Sequence, residues 1–312
     1  ALGRTRSAAR SLLPRDRQAE VLGDLDEDAA ALAALLDAAS RLRVAEPTLL
    51  ATVAGLGEVW SARLLAAHLR ARGRAAEALD AREVLFLAPD GAPDEARSEA
   101  ALLRWLEARP ALEAVAITGF VASAADGRAT TLGRNGSDHS ATLFARLLGA
   151  ASVTIWTDVA GVLTADPRRV PAAERVPQLT YAEAMELAHF GAKILHPKTV
   201  APALAAGIPV DILSALEPEA PGTRIDATGA ADRPVKAITT IEGMAMVEIA
   251  GPGLLGVPGT ARRVFGQLEG AGISVVLITQ GSSEHAIGFA VPAGEAERAA
   301  ALVDEAFYAE RH

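Results

Sequence analysis

The chain has 312 residues, 50% of them hydrophobic and 22% charged, with a formal net charge of −9, which is enough to build one large domain and a smaller one. It contains no cysteine, excluding disulfides and thiolate catalysis; its six histidines form no HExxH arrangement, which argues against structural zinc. No Lys/Arg stripe interleaved with aromatics marks a nucleic-acid face, no unbroken apolar run reaches membrane-spanning length, and the N-terminus lacks the apolar core of a signal peptide, so a cytosolic protein is expected.

In chain order, the first residues offer no obvious strand. Residues 29–44, rich in Ala and Leu, predict a helix, 47–57 a short break, and 58–72 a strong helix with Trp60, Leu64, Leu65 and Leu69 on one side. Strands are predicted over 75–79 and 84–87, a helix over 95–109, and an apolar strand over 112–121. The polar, glycine-broken run from Thr130 passes into a helix through Gly149, which Ser137 or Asp138 would cap. There follow a strand over 152–157, a loop over 158–175, helices over 181–190 and 200–206, a strand over 208–213, and a Pro- and Gly-bearing loop and linker over 217–229. This alternation predicts α/β architecture with a mostly parallel sheet. Ligands of such sheets sit beyond the strand C-termini, where the loops after Val121 and Thr157 lie. From Pro234 onward, strands over 235–241, 244–249, 273–279 and 286–291, with helices over 260–269 and from 295, suggest a ferredoxin-like unit. Such a unit expects one more strand, from sequence beyond the end or from a partner.

Three segments carry chemistry. The loop into the 130–149 helix turns backbone N–H groups outward at a helix start, a place for anions, although a plain turn is the simpler reading. Arg134 adds a guanidinium fork suited to a carboxylate or phosphate, and Asp138 suits organising a cation or holding a donor. Neither GxxxxGK[ST] nor GxGxxG occurs. In the second segment, Thr157 and Asp158 follow a strand, Asp166-Pro167 makes a tight turn, and Arg168 turns a cation back toward it; Asp158 as a turn cap and Arg168 as a surface charge are the alternatives. In the third, Lys193 lies between Ala192 and Ile194, either snorkelling to water or binding phosphate. His196 before Pro197 reads as a packed turn histidine.

Taken together, GFVASAADGRATTLGRNGSDHSA, IWTDVAGVLTADPR and YAEAMELAHFGAKILHPKTV resemble the kinase domain of aspartokinases, in the amino-acid-kinase superfamily. Residues 245–289 resemble the family's regulatory ACT domain, in wording closest to aspartokinases fused to homoserine dehydrogenase. The resemblance implies a three-layer α/β kinase domain over 1–228 and an ACT domain over 234–312. It implies transfer of the ATP γ-phosphoryl to the side-chain carboxylate of L-aspartate, with Mg2+ accompanying ATP. Residue by residue, it implies that Arg134 clamps an aspartate carboxylate, Ser137 helps hold the substrate, Asp138 positions groups around the transfer, and Glu58 meets the substrate amino group. Thr157, Asp158, Asp166, Arg168 and Lys193 would line the nucleotide side. The sequence departs from the family pattern in three places. The N-terminal KFGG(T/S) segment is not found, the usual tyrosine of the nucleotide loop is Leu163, and the usual tyrosine after GSD is His139. A catalytically inactive amino-acid-binding fragment is therefore the alternative to a kinase.

For the ACT domain, the resemblance implies effector contacts around Gly253 and Val257 and at Gln280, with threonine or lysine as the effector and threonine favoured by the wording. It also implies a homo-oligomer paired through these domains. Met244 and Met246 read as core.

Overall fold

The computed structural model describes residues 1–43, 45–189, 196–230, 233–251, 257–280 and 286–307. Two compact units divide between Thr239 and Thr240. The first opens with three helices, α1 (Leu2–Leu12), α2 (Arg15–Leu42) and α3 (Pro47–Ala71). The break expected over 47–57 does not occur. Pro47 stands in the first turn of α3, where its missing N–H costs nothing. Gly55 is a contact point: a Cβ there would lie 2.6 Å from Val121 Cγ1. On the same face of α3, Ala62 and Ala66 meet Ala116 of the sheet, while on the opposite face Trp60 and Leu64 join a core with Ala9, Leu13, Val21 and Leu25 of the preceding helices and turn. By length and composition alone α3 is apolar enough to cross a membrane, although Glu58 and Arg63 interrupt its apolar run; it packs on the sheet with one face and on the preceding helices with the other.

Strand β1 (Ala76–Leu79) pairs in parallel with β2 (Ala114–Ile117), with α4 (Glu95–Glu107) between them. The strand expected over 84–87 reduces to single bridges, Phe86 to Ser123 and Leu87 to Pro93. The strand expected over 112–121 is two: after β2 the backbone turns at Phe120, whose φ of 66° is left-handed, and resumes as β3 (Val121–Ser123), paired in a hairpin with β4 (Ala129–Thr131). Helix α5 (Gly136–Leu147) follows.

The next sheet runs β5-β7-β8-β6, from β5 (Val153–Thr157), β6 (Gln178–Thr180), β7 (Val210–Ser214) and β8 (Thr223–Asp226), with helices α6 (Tyr181–His189) and α7 (Pro197–Ala206). Pairs β5–β7 and β6–β8 are parallel and β7–β8 antiparallel. Leu179, Ile212 and Ile225 are fully buried here, each stabilising by about 1.5–3 kcal/mol. Neither β6 nor β8 was expected; β8 lies in the predicted linker and is held because Thr223 Oγ1 donates to Val176 O at 2.7 Å and accepts from Val162 N at 2.9 Å.

The second unit comprises β9 (Met244–Ala250), α8 (Thr260–Gly270), β10 (Leu277–Gln280), β11 (Ala286–Pro292) and α9 (Ala296–Ala306). Its antiparallel sheet runs β10-β11-β9, with Phe289, Val264, Leu268, Val291 and Val303 buried against its two helices. The strand expected over 235–241 is absent; those residues have no regular structure.

Candidate active site

The site grows from the start of α5. Asn135, left-handed at φ 57°, precedes the helix without a side-chain cap. Ser137 and Asp138 therefore lie inside the first turn, and neither caps it, contrary to the expectation from sequence. Their backbone N–H groups have no protein acceptor among the described residues, which leaves a locally positive helix start.

Against this turn packs the bend at Gly119-Phe120. A Cβ on Gly119 would stand 3.2 Å from both Cα and Cβ of Ser137, and one on Gly136 would stand 2.8 Å from Phe120 Cδ2. Buried Ser140 fastens the two, its Oγ accepting from Phe120 N at 2.9 Å and donating to Gly136 O at 2.8 Å. From α3, the Glu58 carboxylate lies near the Gly119 backbone, close enough for the Gly119 N–H to favour its charged form. Burial raises the Glu58 pKa above the ordinary glutamate value, and the Gly119 N–H opposes this. Glu58 and Ser137, distant in sequence, thus meet on one glycine. The amide of Gly119 is the contact that sequence reasoning missed, because a backbone donor leaves no residue signature beyond the glycine itself.

Arg134 is exposed just before this turn and pairs with no carboxylate among the described residues. Asp138 is half-buried with no cation beside it among the described residues, and burial raises its pKa. His139 is held below the ordinary histidine value by burial first, then by Lys198 and His196; α5 and α7 pack together, so the first turn of α7 faces the first turn of α5. His196 Nδ1 accepts from Lys198 N at 3.2 Å, the packed turn role expected of it. A cleft of about 580 Å³ between α1 and α3 is bordered by Arg4, Thr5, Ser61, His68 and Glu58, so Glu58 lies between that cleft and Gly119.

Helix α5 and strand β5 are joined by a short turn and pack against each other. A 12-residue helix and a 5-residue strand each span roughly 17 Å. The end of β5, with Thr157 and Asp158, therefore returns toward the level of Ser137 and Asp138. Thr157 Oγ1 hydrogen-bonds to Asp158 Oδ1 at 3.3 Å. Beyond them the 158–175 loop is braced at its base: Leu163 bridges Arg175, Thr164 N donates to Glu174 O at 2.8 Å, and Glu174 N donates to Thr164 Oγ1 at 3.0 Å. Arg168 does not simply turn back as a cation; its guanidinium is engaged by Asp166 of its own turn, at 3.0 and 2.5 Å. Lys193 and Gly253 lie outside the described residues.

Residues 8–214 match the amino acid kinase family, and residues 247–307 match an ACT domain. The chain belongs to the amino acid kinase family. This amino acid kinase is 40% identical over 312 residues to a chloroplastic bifunctional aspartokinase/homoserine dehydrogenase 1 of Zea mays, an alignment that covers 97% of the chain and 33% of the relative. It thus spans about a third of the length of the curated relatives it matches. Among solved structures, E. coli aspartokinase III in complex with lysine and aspartate superposes with a TM-score of 0.66 at 33% identity, over 88% of this chain and 61% of that one. The same enzyme with aspartate and ADP gives 0.62 at 26% identity, over 99% and 91%.

In the ACT unit of this amino acid kinase, strand register puts Gln280 opposite Ile287 and Ile287 opposite Ile249. Gln280 therefore stands at the end of the sheet where β9 finishes. Val257 is exposed, its carbonyl taken by Thr260 Oγ1 at 3.0 Å.

Proposed function

We propose that this amino acid kinase is the kinase portion of an aspartate kinase, transferring the γ-phosphoryl of ATP to the side-chain carboxylate of L-aspartate to give 4-phospho-L-aspartate. The meeting of Glu58 and Ser137 on Gly119, beside an uncapped helix start and an unpaired Arg134, carries the reading. It supplies an anion for an ammonium, free amides and a guanidinium for carboxylates, in one place. The aspartokinase relatives and the solved neighbour that holds aspartate and ADP support it.

The nucleophile is already an anion, so no general base is required. A carboxylate oxygen forms a bond to Pγ as the bond from Pγ to the bridging oxygen breaks, and ADP leaves with that electron pair. What the protein contributes is alignment and neutralisation of spreading negative charge. Arg134 clamps a carboxylate bidentately, Glu58 takes the ammonium, and the Ser137 and Asp138 amides face the oxygens that gain charge. Thr157, Asp158, Leu163 and the Asp166–Arg168 turn would line the nucleotide, with Lys193 on its phosphates. Among the described residues no group of three His, Asp or Glu could hold a metal by itself. A Mg2+ accompanying ATP would be held by the phosphates and water, with Asp138 as the site's candidate carboxylate for it. In the ACT unit, Gly253, Val257 and Gln280 would take threonine or lysine, and pairing of ACT units would give a homo-oligomer.

Calorimetric titration with aspartate and, separately, ADP tests the assignment. Arg134→Ala is expected to weaken aspartate binding about tenfold or more, the scale of a charge-assisted pair, and to leave ADP affinity near wild type. Unchanged aspartate affinity would remove Arg134 from the site.

A further inference from the structure

The segment that leaves the sheet after β8 has no regular structure of its own, yet its backbone and side chains are tied to the 158–175 loop. Ile238 N donates to Thr164 O at 2.9 Å, adding an outer rung to the loop arm whose inner rungs join Thr164 to Glu174. Arg233 reaches Glu174 itself, both terminal nitrogens lying 3.2 Å from Oε2. Ala237 packs against the core below. Between these contacts Lys236 turns inward: its side chain is only 11% exposed, and its Nζ donates to Glu183 Oε2 at 2.8 Å.

Glu183 is itself fixed. It closes a reciprocal cap at the start of α6, Thr180 N donating to Glu183 Oε2 at 2.7 Å and Glu183 N donating to Thr180 Oγ1 at 3.1 Å, the geometry of a capping box. Burial pushes the Glu183 carboxyl up, but the Lys236 ammonium and the Thr180 bonds outweigh it, leaving it below the ordinary glutamate value. A largely buried lysine needs such a partner. The Ile238 N–H finds its protein partner in Thr164 O while the segment lies along the loop.

We propose that Lys236 is a positioning residue: by anchoring the 233–239 segment to the start of α6, it holds Ile238 against Thr164 and so sets the shape of the 158–175 loop for nucleotide. The proposal rests on the reading of that loop as the nucleotide loop. It assigns Lys236 no contact with either substrate.

Two measurements on the full chain test it. Trypsin under limiting conditions, with the cut sites read by mass, reports the loop through Arg168 and Arg169. Titration with ADP and with aspartate reports the consequence. Lys236→Met and Glu183→Gln are each expected to speed cleavage after Arg168 and Arg169 about tenfold, the scale of one lost charged hydrogen bond. Both are expected to weaken ADP and spare aspartate, and Lys236→Arg is expected to restore both readouts. Glu183→Gln keeps an oxygen for the α6 cap, so it separates loss of the anchor from unfolding of α6. An unchanged cleavage rate in both variants overturns the proposal, whatever happens to ADP. Faster cleavage in a protein whose wild type binds no ADP leaves the anchor standing and overturns the nucleotide reading of the loop.

Discussion

Asp138 lies half-buried in the first turn of α5 with no cation beside it among the described residues, and its pKa is raised by burial. A group whose folded-state pKa exceeds its unfolded value binds protons more tightly when folded. Its stabilising contribution is present below the unfolded pKa and lost as pH rises through the folded one. At neutral pH the charged Asp138 therefore costs stability, as functional groups often do. Asp138→Asn is expected to raise the melting temperature at neutral pH by about 2 °C, with the difference closing as the buffer is taken below the ordinary aspartate range. Calorimetric melts across that range check it; a lower melting temperature at neutral pH would show that Asp138 has a partner when folded. At this scale Arg134, Ser137 and Asp138 stand out as candidates in the sequence because they sit in a glycine-marked loop, and Glu58 only through the family resemblance. The Gly119 amide was not legible, nor was the engagement of Arg168 by Asp166, since which charges pair is settled by backbone turns that sequence does not display.

Glycines decided which elements were read correctly. Residues 47–57 look like a break because of Gly55 and Gly57, whereas Gly55 is the point where α3 approaches Val121. Residues 217–229 look like a linker because of their Pro and Gly, yet they contain β8, and Gly222 permits its close approach to β7. A Cβ on Gly222 would stand 1.9 Å from Ile212 O and 2.4 Å from Leu213 Cδ2. Backbone cannot yield there as a flexible side chain would. Gly222→Ala is expected to cost about 2–3 kcal/mol by overpacking and to lower the melting temperature by about 5 °C or more; an unchanged melt would mean the β7–β8 pairing is not as close as described. The C-terminal halves of α2 and α3 and the strands β1, β5, β7, β9 and β11 were legible from periodicity and apolar runs. Strands β3, β4, β6 and β8, of three or four residues each, were not, because so short a run carries no period. Their stability comes from partners such as Thr223 that are distant in sequence.

Across the whole molecule, a kinase-family unit is followed in the same chain by an ACT unit, the order found in fused aspartokinase relatives. The ACT sheet leaves β10 at its edge, with Leu277 45% and Ile278 54% exposed, and Gln280 at the end of that strand. Calorimetry with threonine and with lysine is expected to give heat with one of them, weakened about tenfold in Gln280→Ala; heat with neither would leave the ACT unit without the proposed effector. The α/β class, the order of the units and the kinase motifs were all legible before the fold was known. The meeting of α3, the Gly119 bend and α5 was not, because it joins segments far apart in the chain. The most direct test of that meeting as an aspartate kinase site is to supply ATP, Mg2+ and aspartate and trap the acyl phosphate with hydroxylamine. The expected result is a hydroxamate that requires both ATP and aspartate and is lost in Arg134→Ala. A folded wild-type protein that forms no aspartate-dependent hydroxamate would contradict it.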